Sequence, residues 1–492
     1  MGAVIAIDAG TTGVRSRAVF SDGRPSISSY REFTQFFPQP GWVEHDASEI
    51  WSVVAETLRD VVGQLIEPIS AIGITNQRET IVAWNRLTGI PYHRAIVWQD
   101  RRTARRCEEL KELLPMVRQR TGLVLDPYFS GSKAEWLLTS GKVPISPNLA
   151  LGTIDSWIIW NLTAGASFVT DPSNASRTML FDINTMKWDD ELCNIFQVPL
   201  AALPTVVASS GRCAVTAAPS GVPTGIPISG IAGDQQAALF GQACFNVGNA
   251  KNSYGTGSFV LMNVGTTCPP VREGLLTTVA WVLADGTPTY ALEGAIFVTG
   301  AAIQWLRDGI NIIDHAAEIG PLAASVPDSG GVVVVPAFTG LGSPWWDPYA
   351  RGTILGITRG TTRAHIARAV IESIAYQSRD VVAAMTRASG VTIRDLRVDG
   401  GAAVMDLLLQ LQADQLGVNV LRPRELEATS MGAAYLAGLA EGIWSSLDAI
   451  TQSWQLEKLF VPNRIGSNGD LSDSGYNDWT SGVDRSRNWA TR

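Results

Sequence analysis

Two short turns rich in glycine and hydroxyl side chains are the first features of this sequence whose residue types suggest chemistry. The first, "DAGTTGVR", begins at Asp8 directly after an apolar run, and the second, "YGTG", begins at Tyr254. Glycine lets backbone N–H groups approach an anion closely, while the threonine hydroxyls and Arg15 add further donors. The turns therefore predict two phosphate-binding loops, although neither matches the P-loop pattern GxxxxGK[ST].

The carboxylate of Asp8 needs an explanation, because it ends a run of four apolar residues that reads as a buried strand. Burying an unpaired carboxylate is unfavourable. Mg²⁺ prefers carboxylate, water and phosphate oxygens, so a metal beside the phosphate loop would make the carboxylate useful there. We therefore expect Asp8 to hold Mg²⁺. The alternative is that Asp8 accepts hydrogen bonds from the N–H groups of its own turn.

A second carboxylate occurs in "SGIAGDQQAALFGQ", where Asp234 and Gln235 follow a small apolar strand and precede a predicted helix. In phosphoryl transfer, an aspartate often accepts the proton of the acceptor hydroxyl. Asp234 is therefore the candidate general base and a second candidate metal ligand. The alternative is ordinary capping of the helix by its side chain.

Arg78 and Glu79, in "NQRETIVAW", lie at the end of another apolar strand. An exposed Arg–Glu pair contributes little to stability, but ligands of α/β proteins bind at strand ends, where a donor beside an acceptor could hold vicinal hydroxyls of a small polyol. Trp98 and Tyr128 could supply an apolar wall and a hydroxyl partner. Spacing alone does not separate them from ordinary core residues.

Strand and helix signals alternate along the chain, which predicts an α/β fold. The hairpin at residues 4–20 is echoed at residues 249–264, with "GTG" in the place of "GTT". This repetition predicts two related domains that face one nucleotide, covering residues 1–243 and 244–492. From about residue 465 the chain is polar and rich in Gly and Ser, which predicts a loosely held tail.

Composition excludes several classes of function. The 492 residues carry a net charge of −8, and the densest basic patch, "RRTARR", is typical of a solvated helix face rather than a nucleic-acid surface. The five cysteines show no paired spacing, so neither zinc nor disulfides are expected. The apolar runs are too short to span a bilayer, and no signal peptide is apparent. We expect a cytoplasmic protein without nucleic-acid partners or membrane insertion.

Taken together, the motifs resemble those of the glycerol kinases, members of the FGGY carbohydrate kinase family within the actin-like ATPase superfamily. The resemblance runs from residue 3 to about residue 444 and includes "DAGTTGVRS", "GITNQRET", "TGLVLDPYFSGSK", "DPSNASRTMLFDI", "KNSYGTGSFVLMN" and "ALEGAIFVTGAAIQWLRD". The motifs "NQRET", "DPYFS" and "NASRTMLF" distinguish glycerol kinases from the pentulose and gluconate kinases of the same fold.

The resemblance implies two ribonuclease-H-like domains with a catalytic cleft between them, and phosphorylation of glycerol by MgATP to sn-glycerol 3-phosphate. It implies Asp234 as the base, and Asp8 with Asp234 near the metal. The implied substrate-binding residues are Arg78, Glu79, Trp98, Tyr128, Asp234, Gln235 and Phe259. The implied nucleotide-binding residues are Thr11, Thr12, Gly13 and Arg15 in the first loop, Thr256 in the second, and Gly300, Gln304, Gly401 and Met405 around ADP. A homo-oligomer, dimer or tetramer, is also implied.

The sequence departs from the family pattern at several positions. Ala9 replaces a usual glutamine, and Gly13 replaces a serine that faces the phosphates in many members, which would remove one hydrogen bond of about 0.5–1.5 kcal/mol. Met405 and Asp406 replace two asparagines, the first an adenine contact, so we expect nucleotide affinity or choice to differ. Residues 217–230 lack the loop that binds fructose 1,6-bisphosphate in some bacterial members, so we expect no such control.

Three alternative functions remain open from the sequence. The chain could be an FGGY kinase for another polyol or ketose, a weakly active nucleotide-dependent scaffold, or an actin- or chaperone-like ATPase without an acceptor. The polyol residues argue against the first and the third. The retained aspartates, Asp8 and Asp234, argue against the second.

Overall fold

The structure, a computed structural model, describes residues 2–218, 222–270, 274–463 and 474–490. The predicted α/β class is confirmed, with two large mixed sheets and helices packed on their faces. Residues 219–221, within the segment expected to lack a regulatory loop, lie outside the described residues. Within those ranges, no helix is long and apolar enough to cross a membrane.

The N-terminal sheet has six strands. In spatial order they are Ser210–Val215, Pro227–Gly233, Ile69–Asn76, Ala3–Ala9, Gly13–Val19 and Ile27–Glu32. The C-terminal sheet has seven strands. In spatial order they are Leu276–Val282, Pro288–Ile296, Ser258–Gly265, Asn249–Tyr254, Asp395–Gly400, Asn419–Pro423 and Leu456–Phe460.

The two sheets share one core topology. In each sheet, the strand before the glycine-rich turn begins a run of three neighbouring antiparallel strands. The same strand also pairs parallel with a later strand, which pairs parallel with one further strand. This is the repeat that the two hairpins predicted, and it agrees with the expected pair of ribonuclease-H-like sheets. Because the carboxyl ends of parallel neighbours meet at one edge, each sheet presents its phosphate turn beside the turn that follows the neighbouring strand.

The remaining strands form smaller sheets. The five-stranded one contains Gln35–Phe36, Glu44–His45, Ala95–Ile96, Ile81–Asn85 and Leu149–Thr153. The two-stranded ones pair Val169–Thr170 with Thr205–Val206, Phe181–Asp182 with Lys187–Trp188, and Val333–Val335 with Thr353–Leu355.

The α-helices fall between and after the strands, as expected for this class. They span Ala47–Val62, Ala104–Glu109, Leu114–Thr121, Ser130–Leu138, Ile154–Leu162, Pro172–Ala175, Asp190–Ile195, Asp234–Gly241, Gly300–Gln304, Ile319–Ala324, Arg363–Ser389, Asp406–Leu416, Ala428–Ala440, Leu447–Ser453 and Ser474–Ser486. Short 3₁₀ turns span Lys111–Leu113, Leu200–Ala202, Ala316–Glu318 and Gly401–Val404, and a π-helical turn spans Trp305–Gly309.

The N-terminal sheet is covered on both faces. The amphipathic helix Ala47–Val62 packs on one face through Ile50, Val54 and Leu58. The late helix Ala428–Ala440 packs on the other face so closely that a Cβ atom on Gly73 would lie 2.0 Å from the carbonyl oxygen of Ala433. A helix from the second half of the chain is therefore part of the core of the first. The domain boundary near residue 243 stays a prediction.

The prediction of a loosely held tail is wrong for its described part. Residues 464–473 and 491–492 lie outside the described residues, but Ser474–Ser486 is a helix with Trp479 and Val483 fully buried. The indole of Trp479 donates to Asp380 at 2.8 Å. The sequence suggested a tail because this helix is mostly polar, whereas a few apolar residues on one face are enough to dock it.

The first predicted phosphate turn is held from behind by a buried amide, a half-buried amide and an imidazole. Gln77 donates to the carbonyl of Gly10 at 3.0 Å, and Gln35 donates to the carbonyl of Thr11 at 3.0 Å. His45 lies between them, with Nε2 2.7 Å from Oε1 of Gln35 and Nδ1 3.3 Å from Nε2 of Gln77. Burial lowers the pKa of His45 to about 4, so a neutral ring completes this network.

This network predicts a loss of stability in acid. In the unfolded chain, histidine binds a proton near pH 6.5, while His45 in the folded protein binds one only near pH 4. The free energy of unfolding should therefore fall as pH drops from about 6.5 to about 4, by about 2–3 kcal/mol from this group. Urea unfolding from pH 4.5 to 8 should show a shallower fall for His45→Gln than for the wild type.

The exposed His315 offers the matched control, since His315→Gln makes the same replacement outside this network. Identical pH dependence of unfolding in His45→Gln and the wild type would contradict the prediction.

Candidate functional site

The candidate site is built around Arg78, whose guanidinium is buried between the two sheets with the residue only 2% exposed. Its Nη1 lies 2.5 Å from Oε2 of Glu293, and its Nε lies 3.2 Å from Oδ1 of Asp234. Its Nη2 donates to the hydroxyl of Tyr128 at 3.2 Å. The arginine thus joins three side chains that are far apart in the sequence and come from both halves of the chain.

A second buried arginine completes the charge balance. Arg177 donates to Oε1 of Glu79 at 2.7 Å and to Oε1 of Glu293 at 2.8 Å. Burial alone would raise the pKa of Glu293, but Arg177 and Arg78 together lower it to about 2. Burial raises the pKa of Glu79, against the opposing effect of Arg78 and Arg177. The guanidinium and carboxylate groups are therefore mutually compensated, as buried charges must be.

Glu79 has an unusual backbone conformation. Its φ of 63° lies in the left-handed region, which costs a non-glycine residue about 1–3 kcal/mol. The hydroxyl of Ser130 donates to its carbonyl at 3.0 Å, and Arg177 holds its side chain. Glu79 lies in the turn between strands Ile69–Asn76 and Ile81–Asn85, with its carboxylate against the arginine cluster. Functional sites are where strained backbone is often retained.

Asp234 is the first residue of helix Asp234–Gly241, so the N-cap position belongs to Gly233 rather than to the aspartate. Its Oδ1 accepts a hydrogen bond from the backbone N–H of Gln235 at 2.7 Å. Burial raises the pKa of Asp234, against the opposing charges of Arg78 and Lys251. A carboxylate with a raised pKa is a better proton acceptor than an ordinary surface aspartate.

Lys251 is a member of the cluster that the sequence did not single out. Its ammonium group contacts Oε1 of Gln235 and the hydroxyl of Ser253, the latter at 2.8 Å. Burial lowers the pKa of Lys251 to about 8, while the charges of Asp399 and Asp234 oppose that effect. The lysine orients the amide of Gln235, and it connects that amide to the strand that leads into the second phosphate turn.

Aromatic rings border the cluster. Trp98 meets Tyr128 edge to face, with ring centroids 5.6 Å apart, and the ring of Phe259 lies 5.9 Å from the guanidinium carbon of Arg78. The indole N–H of Trp98 donates to Oγ1 of Thr11 at 3.0 Å. The apolar wall predicted for the polyol therefore touches the first phosphate turn directly.

Asp8 has no side-chain hydrogen bond or ion pair within the described residues. The N–H of Gly10 donates to the carbonyl of Gly13 at 2.9 Å rather than to the carboxylate, so the turn-capping alternative is not observed. Burial raises the pKa of Asp8 to about 7, and the charges of Asp234 and Glu427 add to that effect while Arg15 opposes it. The Asp8 carboxylate thus has no ion-pair partner among the described residues and lies near the carboxylate of Asp234. A cation would stabilise this arrangement.

The donor set fits Mg²⁺ rather than a fully protein-ligated metal. The described residues contain no group of three or more His, Cys, Asp or Glu side chains able to hold a metal ion. Mg²⁺ is commonly bound by one or two carboxylates, with water and substrate phosphates completing the octahedron. Asp8 and Asp234 beside a phosphate turn meet that requirement.

The second phosphate turn packs against a short helix. The carbonyl of Thr256 accepts from the N–H groups of Thr299 at 2.9 Å and Ala301 at 3.0 Å. A Cβ atom on Gly300 would lie 2.6 Å from the carbonyl oxygen of Gly255, so the close approach requires glycine. Gln304 ends this helix in an exposed position.

Gly401 and Met405 lie in the turn after the neighbouring parallel strand Asp395–Gly400. The space beside Gly401 is open, since a Cβ atom there would have no other atom within 4 Å. The side chain of Met405 lies close to Gly320, with its Cγ 3.4 Å from the position that a Cβ atom of Gly320 would take. The residues predicted around ADP thus lie on the short helix Gly300–Gln304 and in the turn after strand Asp395–Gly400, where Met405 supplies an apolar thioether.

Arg15 and Arg17, on the second strand of the first hairpin, form ion pairs with Glu427 and Glu425. Both glutamates precede helix Ala428–Ala440, which belongs to the second half of the chain. The strand that follows the first phosphate turn is therefore tied to the opposite half by charge.

Comparison with known proteins agrees with this geometry. Residues 3–241 match the N-terminal domain of the FGGY family of carbohydrate kinases, and residues 250–441 match its C-terminal domain. The glycerol kinase of Dechloromonas aromatica is 52% identical, covering 99% of this chain and 98% of that protein. Glycerol kinase 2 of Thermotoga maritima is 52% identical, covering 99% of each chain.

Solved structures give the same result. The crystal structure of Plasmodium falciparum glycerol kinase with ADP is 33% identical, with a TM-score of 0.92 over 99% of this chain and 98% of that one. The gluconate kinase of Lactobacillus acidophilus, at 21% identity and a TM-score of 0.86 over 98% and 96% of the two chains, shows the shared fold alone. The resemblance carried by the motifs is confirmed, and the chain belongs to the FGGY family of carbohydrate kinases.

Proposed function

We propose that this chain is a glycerol kinase, which transfers the terminal phosphoryl group of ATP to glycerol and yields sn-glycerol 3-phosphate and ADP. The observation that carries the proposal is the convergence of Tyr128 and Asp234 on the buried Arg78, beside the first phosphate turn. The full-length similarity to glycerol kinases supports it.

In this proposal the acceptor lies against Arg78 and Glu79. Arg78 donates to hydroxyl groups of glycerol, while Glu79, Tyr128 and Gln235 complete its polar contacts. Trp98 and Phe259 contact the carbon skeleton. A triol needs donors and acceptors at fixed positions, and the ion pairs of the cluster hold these side chains in place before the substrate arrives.

Asp234 accepts the proton of the reacting hydroxyl at a carboxylate oxygen. Its raised pKa and its place at the start of a helix, next to Gln235, suit this role. When bound through Asp8 and Asp234, Mg²⁺ supplies positive charge that offsets the negative charge of the phosphate oxygens.

The nucleotide is proposed to lie between the two turns. Thr11, Thr12, Gly13 and Arg15 hold its phosphates from one side and Thr256 from the other. Gly300, Gln304, Gly401 and Met405 surround the rest of ADP. Domains of residues 1–243 and 244–492, a homo-oligomeric state and a cytoplasmic location stay predictions.

A panel of acceptors tests the proposal. ADP release should be measured by a coupled assay with glycerol, dihydroxyacetone, xylulose, ribulose, erythritol and gluconate. Glycerol should give the highest kcat/KM. No turnover with glycerol would overturn the proposal, and ATP turnover without any acceptor would favour an ATPase instead.

The role of Asp234 gives a second prediction. Asp234→Asn removes the proton acceptor and keeps the side chain nearly isosteric, so kcat should fall by roughly 10²–10⁴-fold. The Kd for ADP, measured by calorimetry, should change by much less. Asp190→Asn is the matched control, because Asp190 also begins a helix but is exposed. Near-wild-type kcat in Asp234→Asn would remove Asp234 from the role of base.

The half-buried carboxylate of Asp8 gives a third prediction. The pKa of the Asp8 carboxyl is about 7, so the wild-type group is ionised at pH 8. Burial and the charge of Asp234 both disfavour that ionised form. Asp8→Asn should therefore raise the free energy of unfolding of the ligand-free protein, by up to about 4 kcal/mol. The same change should weaken binding of ADP in the presence of Mg²⁺.

Thermal unfolding at pH 8, with and without Mg²⁺ and ADP, measures both effects of Asp8→Asn. The variant should be more stable than the wild type without ligand and should gain less stability when the ligands are added. A variant that is less stable without ligand, yet stabilised normally by Mg²⁺ and ADP, would show that Asp8 has a purely structural role.

A further inference from the structure

Tyr30 is the third residue of a row that begins with the candidate metal ligand. In the N-terminal sheet, Asp8 pairs directly with Arg15, and Arg15 pairs directly with Tyr30 on the next strand. Directly paired residues of neighbouring strands point to the same face of a sheet. Asp8, Arg15 and Tyr30 therefore line one face, at the edge where the first phosphate turn leaves the sheet.

The hydroxyl of Tyr30 reaches that turn. It lies 3.4 Å from Oγ1 of Thr12, and among the described residues this is the one side-chain hydrogen bond that the tyrosine makes. The guanidinium carbon of Arg15 lies 5.6 Å from the centroid of the Tyr30 ring. The tyrosine is 47% exposed, so it contacts two residues of the turn and remains open to a ligand.

Gly13 shows how closely the tyrosine approaches. A Cβ atom on Gly13 would lie 2.7 Å from the hydroxyl oxygen of Tyr30, 2.8 Å from its Cζ and 2.4 Å from the carbonyl oxygen of Arg31. Real Cβ contacts are essentially never so short. The end of the tyrosine therefore occupies the space where the first atoms of a residue-13 side chain would stand, and it places a hydroxyl there.

We propose that Tyr30 is a phosphate-binding residue of the first turn, with its hydroxyl donating to a phosphate oxygen of the nucleotide. Its ring also supports Arg15, the cation of the same turn. The inference rests on the nucleotide-binding part of the proposed function. It assigns to Tyr30 the hydroxyl donor that Gly13 lacks, so that the glycine and the tyrosine act as one unit.

The alternative is that Tyr30 only packs over Gly13. The two possibilities differ in what loss of the hydroxyl does, because Tyr30→Phe keeps the ring, its contact with Arg15 and its fit over the glycine. A packing role predicts that Tyr30→Phe behaves as wild type. A phosphate-binding role predicts a loss that depends on the phosphates of the ligand.

Equilibrium binding of ADP and of adenosine, each with Mg²⁺, tests the proposal. Tyr30→Phe should weaken ADP binding about tenfold, the effect of one hydrogen bond to a charged group, and should leave adenosine within twofold. In the kinase assay, KM for ATP should rise while KM for glycerol stays unchanged. Tyr349→Phe is the matched control, since Tyr349 is 39% exposed and lies outside the turn.

Three outcomes separate this inference from the proposed function. ADP affinity of Tyr30→Phe within twofold of the wild type overturns the inference, and so does equal weakening of ADP and adenosine. If the wild type binds ADP but does not phosphorylate glycerol, the proposed function fails, and the effect of Tyr30→Phe on ADP still decides the role of the tyrosine.

Discussion

The compensation of buried charge around Arg78 and Arg177 is the interaction on which the rest of this structure depends. Both arginines are shielded from solvent, and Glu79 and Glu293 accept their hydrogen bonds. Removing one of these side chains would leave an uncompensated buried charge. The resulting loss of stability is much larger than the stability that an exposed ion pair provides. Because Glu293 belongs to the C-terminal sheet, the proposed acceptor site is complete only when the two halves of the chain are together.

A shared topology places one predicted phosphate turn at an edge of each sheet. Each turn joins the first two strands of a sheet, and each is supported from behind by side chains that make no contact with a ligand in the proposal. Gln35 and Gln77 bind the carbonyls of the first turn, and Lys251 links Gln235 to the strand before the second. These supports restrict the orientation of the groups that the proposed reaction needs, which is how preorganisation lowers a barrier.

Much of the fold and of the site follows from local pattern. Alternating apolar strands, glycine-rich turns and polar residues at strand ends predicted the two related sheets and the position of Asp8, Arg78 and Asp234. The sequence did not identify Glu293 and Arg177 as site residues, although both lie in recognisable motifs. Glu293 pairs with Arg78, which is 215 residues away in the chain. The docked helix Ser474–Ser486 was missed for a related reason, since its burial depends on Trp479 meeting Asp380.

By itself, the sequence determined the fold class, the two turns and the chemical character of the residues around them, because glycine conformation and strand periodicity act over a few neighbouring residues. Only the tertiary structure decided which charges pair, that the carboxylate of Asp8 is left without a partner in its own turn, and that Tyr30 fills the space beside Gly13. Those outcomes depend on distances between elements far apart in the chain, and side-chain packing settles such distances after the sheets have assembled.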